Sequence, residues 1–355
     1  ALPISSVSPA SRAAISRAGG VKALAQLLAQ DTTAKSRLET VGAIYALVQG
    51  SAENQAALVK AGGAQALASV AGDSSAPMVA REQAACVLGA LAKAHSSVVA
   101  AEGGVQALVH LLENGSPAAC GFAVFALRHV AVNSPECQAV IVSAGSVPHV
   151  VGLLAEGTPE ETRGYAAGLL SALVAGSEKA RSAIVAVGGV QALVGILTRG
   201  GPSTGRRAAS AIAGLTMTSD RCRAAAVDAG AVPALVHMLS DPQTQVEAAQ
   251  ALAGIALKNV RGQRTIVSMG GVQALLHVAE AGATPARKNA AAALRSIAEG
   301  SRDGRRAVDE AGCSPPFLGK FPSASAGGAE APDRRQQLRC GPMASIDETT
   351  AVTSF

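Results

Sequence analysis

Aromatic side chains are scarce in this 355-residue chain: it has five Phe, two Tyr and no Trp. A core wedged apart by large rings is therefore excluded. The apolar bulk falls instead to Ala, Val and Leu, which let helices approach closely. Hydrophobic residues still make up 49% of the chain against 15% charged, enough for a large buried core. Long apolar runs are missing too. None approaches the roughly 18–20 residues needed to span a bilayer, and no charged leader with an apolar block opens the chain. The chain begins at Ala1 rather than Met, so a fragment that has lost a leader is one expectation.

The six cysteines, Cys86, Cys120, Cys137, Cys222, Cys313 and Cys340, show no CxxC or paired spacing. Neither a disulfide framework nor a zinc site is expected. They read as reduced, mostly buried thiols of an intracellular protein, placed in the cytoplasm with the nucleus left open. No GxSxG, HExxH, P-loop or dinucleotide fingerprint occurs in a suitable context. No catalytic residue, cofactor or metal is expected, and the chain reads as a non-enzyme.

Repetition takes the place of these signals. A small-residue hinge recurs in "AGGVKALAQLL", "AGGAQALASV", "EGGVQALVHLL", "AGSVPHVVGLL", "VGGVQALVGIL", "AGAVPALVHML" and "MGGVQALLHVA". The first Gly of each hinge stands at 19, 62, 103, 145, 188, 230 and 270, and Gly312 ends one more cycle. The steps lie between 40 and 43 residues, a period that identifies stacked repeats. Each period reads as three helices. Around Arg221–Lys258, "RCRAAAVDAG" closes on Gly230. "VPALVHMLS" then carries Pro233 in its first turn, Ser240 or Asp241 caps, and Pro242 begins a long third helix. Such a unit cannot bury its apolar face alone and must stack on its neighbours. One unit is irregular. Only 11 residues separate Ala92 from Gly103 where other repeats have 14, so nearly one turn of a first helix is missing and a local change of twist is expected.

A period near 42, three helices and Gly between the first two resemble the armadillo repeat family, through "GGVQALVxLL" segments and third helices such as Ala248–Ala256. HEAT repeats are the structural alternative, though their two-helix unit does not need the hinge. The resemblance implies an all-α solenoid, a right-handed superhelix of about seven three-helix repeats over residues 9–312, with third helices lining a concave groove. Residues 1–8 form a flank. Residues 313–355 lose the period and gain Pro, Gly and Ser, as a disordered tail does; Phe317 and Phe321 are candidates for docking on the last repeat. The resemblance further implies a protein or peptide partner held in the groove by a non-catalytic scaffold. The alternative is the substrate-recognition region of a U-box ubiquitin ligase whose catalytic domain lies outside these residues. Family members that bind basic import signals carry an Asn ladder and a Trp ladder. Here the matching slots hold Ala46, Ala90, His129, Ala172, Gly214, Gly254 and Ser296, and Gly42, Cys86, Phe125, Gly168, Ser210, Gln250 and Ala292. That specificity is not expected.

The rare aromatics mark the candidate site. Phe122, Phe125 and His129 span about 60° of one helical face, opposite Val124, Leu127 and Ala131. Tyr165 takes the Phe122 slot in the next repeat. These four, with Arg128 at the margin, form the expected groove anchor; the alternative is that the rings only fill gaps in the stack. Small neighbours, Gly121, Gly164, Gly168 and Ala172, are expected to leave room for a partner's side chain. A second candidate is electrostatic. Net charge is +5, and residues 199–306 hold 14 Lys and Arg against 7 Asp and Glu. Lys179, Arg181, Arg221, Arg223, Arg261 and Arg264 recur on first helices and stack into a basic edge, which suits an acidic peptide, a phosphorylated tail or an anionic membrane surface. A merely solvated basic face is the competing reading. Nucleic acid is disfavoured, since few aromatics interleave with the charges. His110, His149, His237 and His277 lie on second helices, each a repeat from the next, and are not expected to converge on a metal.

Overall fold

The periodic hinge is built by backbone stereochemistry. Gly62 takes a left-handed conformation, φ 76°, between two helices, which an L side chain resists. The next residue, Gly63, needs closeness rather than freedom: a Cβ there would lie 2.9 Å from the Leu58 carbonyl oxygen. All eight predicted hinge glycines, from Gly19 to Gly312, have φ between 70° and 85°.

The computed structural model describes residues 9–30, 33–132 and 134–312. The expected flank at 1–8 and tail at 313–355, with Phe317, Phe321, Cys313 and Cys340, lie outside the described residues. Among those described there are 21 helices and no strand. They form an all-α solenoid of seven three-helix units followed by a single helix, Arg302–Glu310. The third helices are Ala34–Val48, the first part of Met78–Ala101, Pro117–Ala131, Glu160–Gly176, Pro202–Thr218, Gln245–Ala256 and Thr284–Gly300. Each packs on the next, which makes one continuous face. The core between layers is small and aliphatic; Leu88, Leu108, Leu127, Leu169 and Ile212 are fully enclosed.

One local expectation is corrected. The sixth third helix starts at Gln245 rather than Pro242. Asp241 accepts from the Gln243 N–H, and the Thr244 hydroxyl donates to the Met238 carbonyl, so a tight turn uses the residues that would have capped the helix. At the short repeat the missing turn removes the loop between units. Met78–Ala101 runs on as one helix broken at His95 (φ −132°, ψ 41°). This helix has the length and apolar composition to cross a bilayer, but half of that stretch is buried in the solenoid.

The units are joined by a device that recurs along the chain. Six first helices start with Ser51, Ser134, Ser177, Ser219, Asn259 or Ser301, whose side chain accepts from the N–H three residues on. Four residues after each cap stands Gln or Arg, reaching back seven residues to a carbonyl at the end of the preceding third helix. Gln55 donates to Val48, Gln138 to Ala131, Arg181 to Val174, Arg223 to Thr216, Gln263 to Ala256 and Arg305 to Ala298. Each bond satisfies a carbonyl that the helix end leaves without an intrahelical partner.

Candidate functional site

On the third-helix face, a residue near the end of one helix meets a residue one turn earlier on the next. At two of these crossings a large side chain meets a glycine. Tyr45 faces Cys86. Gly89 faces Phe125, and Gly168 lies beneath Arg128, whose Cδ is 3.0 Å from the position of a Cβ on that glycine. The Ser171 and Ser210 hydroxyls are 2.8 Å apart. Phe125 can therefore be large because Gly89 has no side chain.

The predicted aromatic residues do come together. The Phe125 ring packs edge-on against His129, with centroids 4.7 Å apart, and against Tyr165 at 5.0 Å. These are favourable geometries for aromatic pairs. All three are half-buried. Phe122 shares the helix of Phe125 and His129 and packs on the core, while Phe125, from the slot one turn later, sets its ring against Tyr165. The diagonal follows from the offset between neighbouring helices.

Cations cover these rings. Lys93 Nζ stands 5.5 Å from the Phe125 centroid. Arg128 Cζ and Arg207 Cζ stand 5.6 and 5.7 Å from the Tyr165 centroid, within the range of cation–π attraction. The Tyr165 hydroxyl donates to Glu161. Burial, then that carboxylate, push the Tyr165 phenol well above its usual range, while burial and the neighbouring Arg128 lower the Arg207 guanidinium. The expected room over the small residues is taken in part: a Cβ on Gly164 would lie 2.7 Å from Arg207 Nη1, and Gly168 is crossed by both arginines. Arg128 is thus central rather than marginal. Lys93, Glu161 and Arg207 were not singled out as groove residues by the sequence; each sits at a third-helix end or start, and only the diagonal offset carries it to the rings.

The basic edge divides. Arg223 is buried and paired with Asp220, and Arg181 is paired with Glu178, with its side chain 18% exposed. Both are the reach-back donors described above, so their recurrence reflects helix capping and not a displayed charge. Arg261 is exposed but pairs with Asp228 of the preceding first helix. Lys179, Arg221 and Arg264 are exposed. The recurring signal that identifies the donors was present in the sequence as Ser or Asn followed four residues later by Gln or Arg.

The described cysteines are unpaired thiols: Cys86, Cys137 and Cys222 are buried, and Cys120 is half-buried. No cluster of metal-ligating residues occurs among the described residues. Two outer-layer histidines do share a carboxylate across a repeat boundary, since His110 and His149 lie 3.9 and 3.5 Å from Glu113.

Known proteins give these features a frame. A family model described as the armadillo/beta-catenin-like repeat matches residues 219–257. No curated protein sequence matches the chain. The crystal structure of an engineered protein, 32% identical, covers 91% of this chain and 79% of its own, with a TM-score of 0.79. A second engineered protein, 33% identical, covers 67% of this chain and 97% of its own at a TM-score of 0.62. A designed armadillo repeat protein solved in complex with the peptide (KR)4 is 23% identical, covering 65% of this chain and 98% of its own at a TM-score of 0.58.

Proposed function

Since the chain belongs to the armadillo repeat family, we propose that it is a non-catalytic adaptor that holds a segment of a partner protein along its third-helix face, anchored at Phe125 and Tyr165. The observation that carries this reading is the cluster itself. A chain with so few aromatic residues gathers three ring side chains around Phe125, half-exposed, on the face shared by all units. Rings left partly in water at such a position are the kind of residue that dominates binding energy when a partner covers them. The surrounding charge supports a particular polarity. Three cations, Lys93, Arg128 and Arg207, stand around the rings, with the carboxylate of Glu161 on the Tyr165 hydroxyl. The designed relative carries a run of Lys and Arg as its peptide; the cluster here has the charge to repel such a run and to accept an acidic one.

Peptide phage display against the full chain tests the reading. Selected segments should be acidic with an apolar residue beside the charge, and should lose at least tenfold in affinity on Phe125→Ala, as a central anchor does. Selection of segments that bind Phe125→Ala unchanged would remove the anchor.

A further inference from the structure

Two arginines converge where one acid would suffice. Arg128 comes from the third unit and Arg207 from the fifth, and both cross the glycine of the unit between them. The point that a Gly168 Cβ would take lies 3.0 Å from Arg128 Cδ and 3.4 Å from Arg207 Cδ. Both guanidinium groups also stand over Tyr165. The nearby carboxylate, Glu161, accepts from the Tyr165 hydroxyl. Neighbouring like charges are costly to hold together; burial first, and then the charge of Arg128, lower the affinity of Arg207 for its proton.

We propose that Arg128 and Arg207 form a receptor for a phosphorylated side chain in the partner segment, a reading that rests on the adaptor function above and names the chemistry of its partner. The choice of phosphate over carboxylate follows from valence. One guanidinium fork already satisfies both oxygens of a carboxylate. A phosphomonoester offers three terminal oxygens and a charge near −2, so it can bridge two forks and balance two cations. Aromatic support fixes the arginines in advance: their stems lie on Gly168 and their heads on Tyr165, which lowers the ordering needed on binding.

A discrete phosphorylated residue fits better than a nucleic acid backbone. In the slot of Arg207, the other units present Glu39, Gln83, Phe122, Tyr165, Glu247 and Asn289, so no basic row tracks along the solenoid. The rings form one local cluster flanked by cations, not a row of faces on which successive bases could stack.

The test uses the full chain and three degenerate nonapeptide libraries that differ only at the central residue: phosphoserine, serine or glutamate. Affinity is read by fluorescence polarisation, with a single-stranded oligonucleotide as a fourth probe. The phosphoserine library should bind at least about tenfold tighter than the other two. Arg207→Gln and Arg128→Gln should each erase that advantage, while Lys179→Gln with Arg221→Gln should leave it intact. Circular dichroism melting confirms that each variant is folded; should Arg207→Gln not fold, Arg207→Lys, which keeps the charge without the fork, must still lose the preference. Equal binding of the glutamate and phosphoserine libraries would overturn the phosphate receptor and leave the adaptor reading standing. Absence of binding by all three peptide libraries would overturn both, and tighter binding of the oligonucleotide would replace the phosphopeptide with a nucleic acid.

Discussion

Gly89 and Phe125 meet across the seam between the second and third units: a Cβ on residue 89 would lie 2.7 Å from Phe125 Cδ1 and 2.9 Å from Cε1. The absence of a side chain on one helix sets the position of the ring on the next. The pair therefore couples backbone propensity to the candidate binding site.

Gly89→Ala gains about 1 kcal/mol of helix propensity and loses about 1–3 kcal/mol to overpacking against the ring. In the Phe125→Ala background the clash is gone and the propensity gain remains. Chemical denaturation of both single variants and the double variant should show Gly89→Ala changing sign, from neutral or destabilising to stabilising. Additive effects would mean that the ring moves aside at no cost.

Phe125→Ala should weaken a bound partner by about 2 kcal/mol or more. It should destabilise the fold by less than the roughly 3–5 kcal/mol typical of a fully buried Phe, because the ring is half-exposed. Calorimetric titration beside thermal melting separates the two. Large destabilisation with binding retained per folded molecule would make the ring a packing residue.

Arg223→Ala leaves the buried Thr216 carbonyl without its donor and should cost about 1–3 kcal/mol. Arg223→Gln should recover most of the loss, since Gln55, Gln138 and Gln263 make the same bond in other units. Arg221→Ala, two residues earlier and exposed, should shift stability by less than about 0.5 kcal/mol. Equal losses at 221 and 223 would contradict the capping role.

Cys86 gives a pH signature. Burial pushes its thiol up to about 11, although the Gln49 hydrogen bond and the Lys93 charge pull the other way. The protonated thiol belongs to the folded state, so its contribution to stability is complete below the unfolded value of about 8.5 and is lost as pH rises toward 11. Cys86→Ala should flatten this part of the alkaline unfolding curve. In the folded protein Cys86 should resist iodoacetamide at pH 8, and rapid labelling would contradict its burial.

The fold was legible because its signals are local and repeated. The hinge glycines, the three-helix period and the missing turn between Ala92 and Gly103 each depend on residues close together in the chain. The site was legible in part. The shared face of Phe122, Phe125 and His129 follows from helical periodicity alone. The meeting of Phe125 with Tyr165 and the convergence of Arg128 with Arg207 depend on the offset between stacked helices, which no single helix encodes. The basic edge misled for a different reason. Arg181 and Arg223 share a slot with Gln55 and Gln138, and what that slot preserves is a donor long enough to reach back seven residues. Counting charge separated residues that the structure unites by hydrogen bonding.

That reach sets where the chain can be cut. Six of the seven third helices are finished by a side chain belonging to the following unit, so the sequence period and the self-sufficient fragment are out of phase. A piece ending at Ser219 would present Thr216 without Arg223, whereas one extended through Asp228 would carry its own closure. Arg302–Glu310 plays this part for the seventh unit, with Arg305 on Ala298. Shortened versions of the protein should accordingly be divided after a first helix, where the borrowed donor travels with the end it closes.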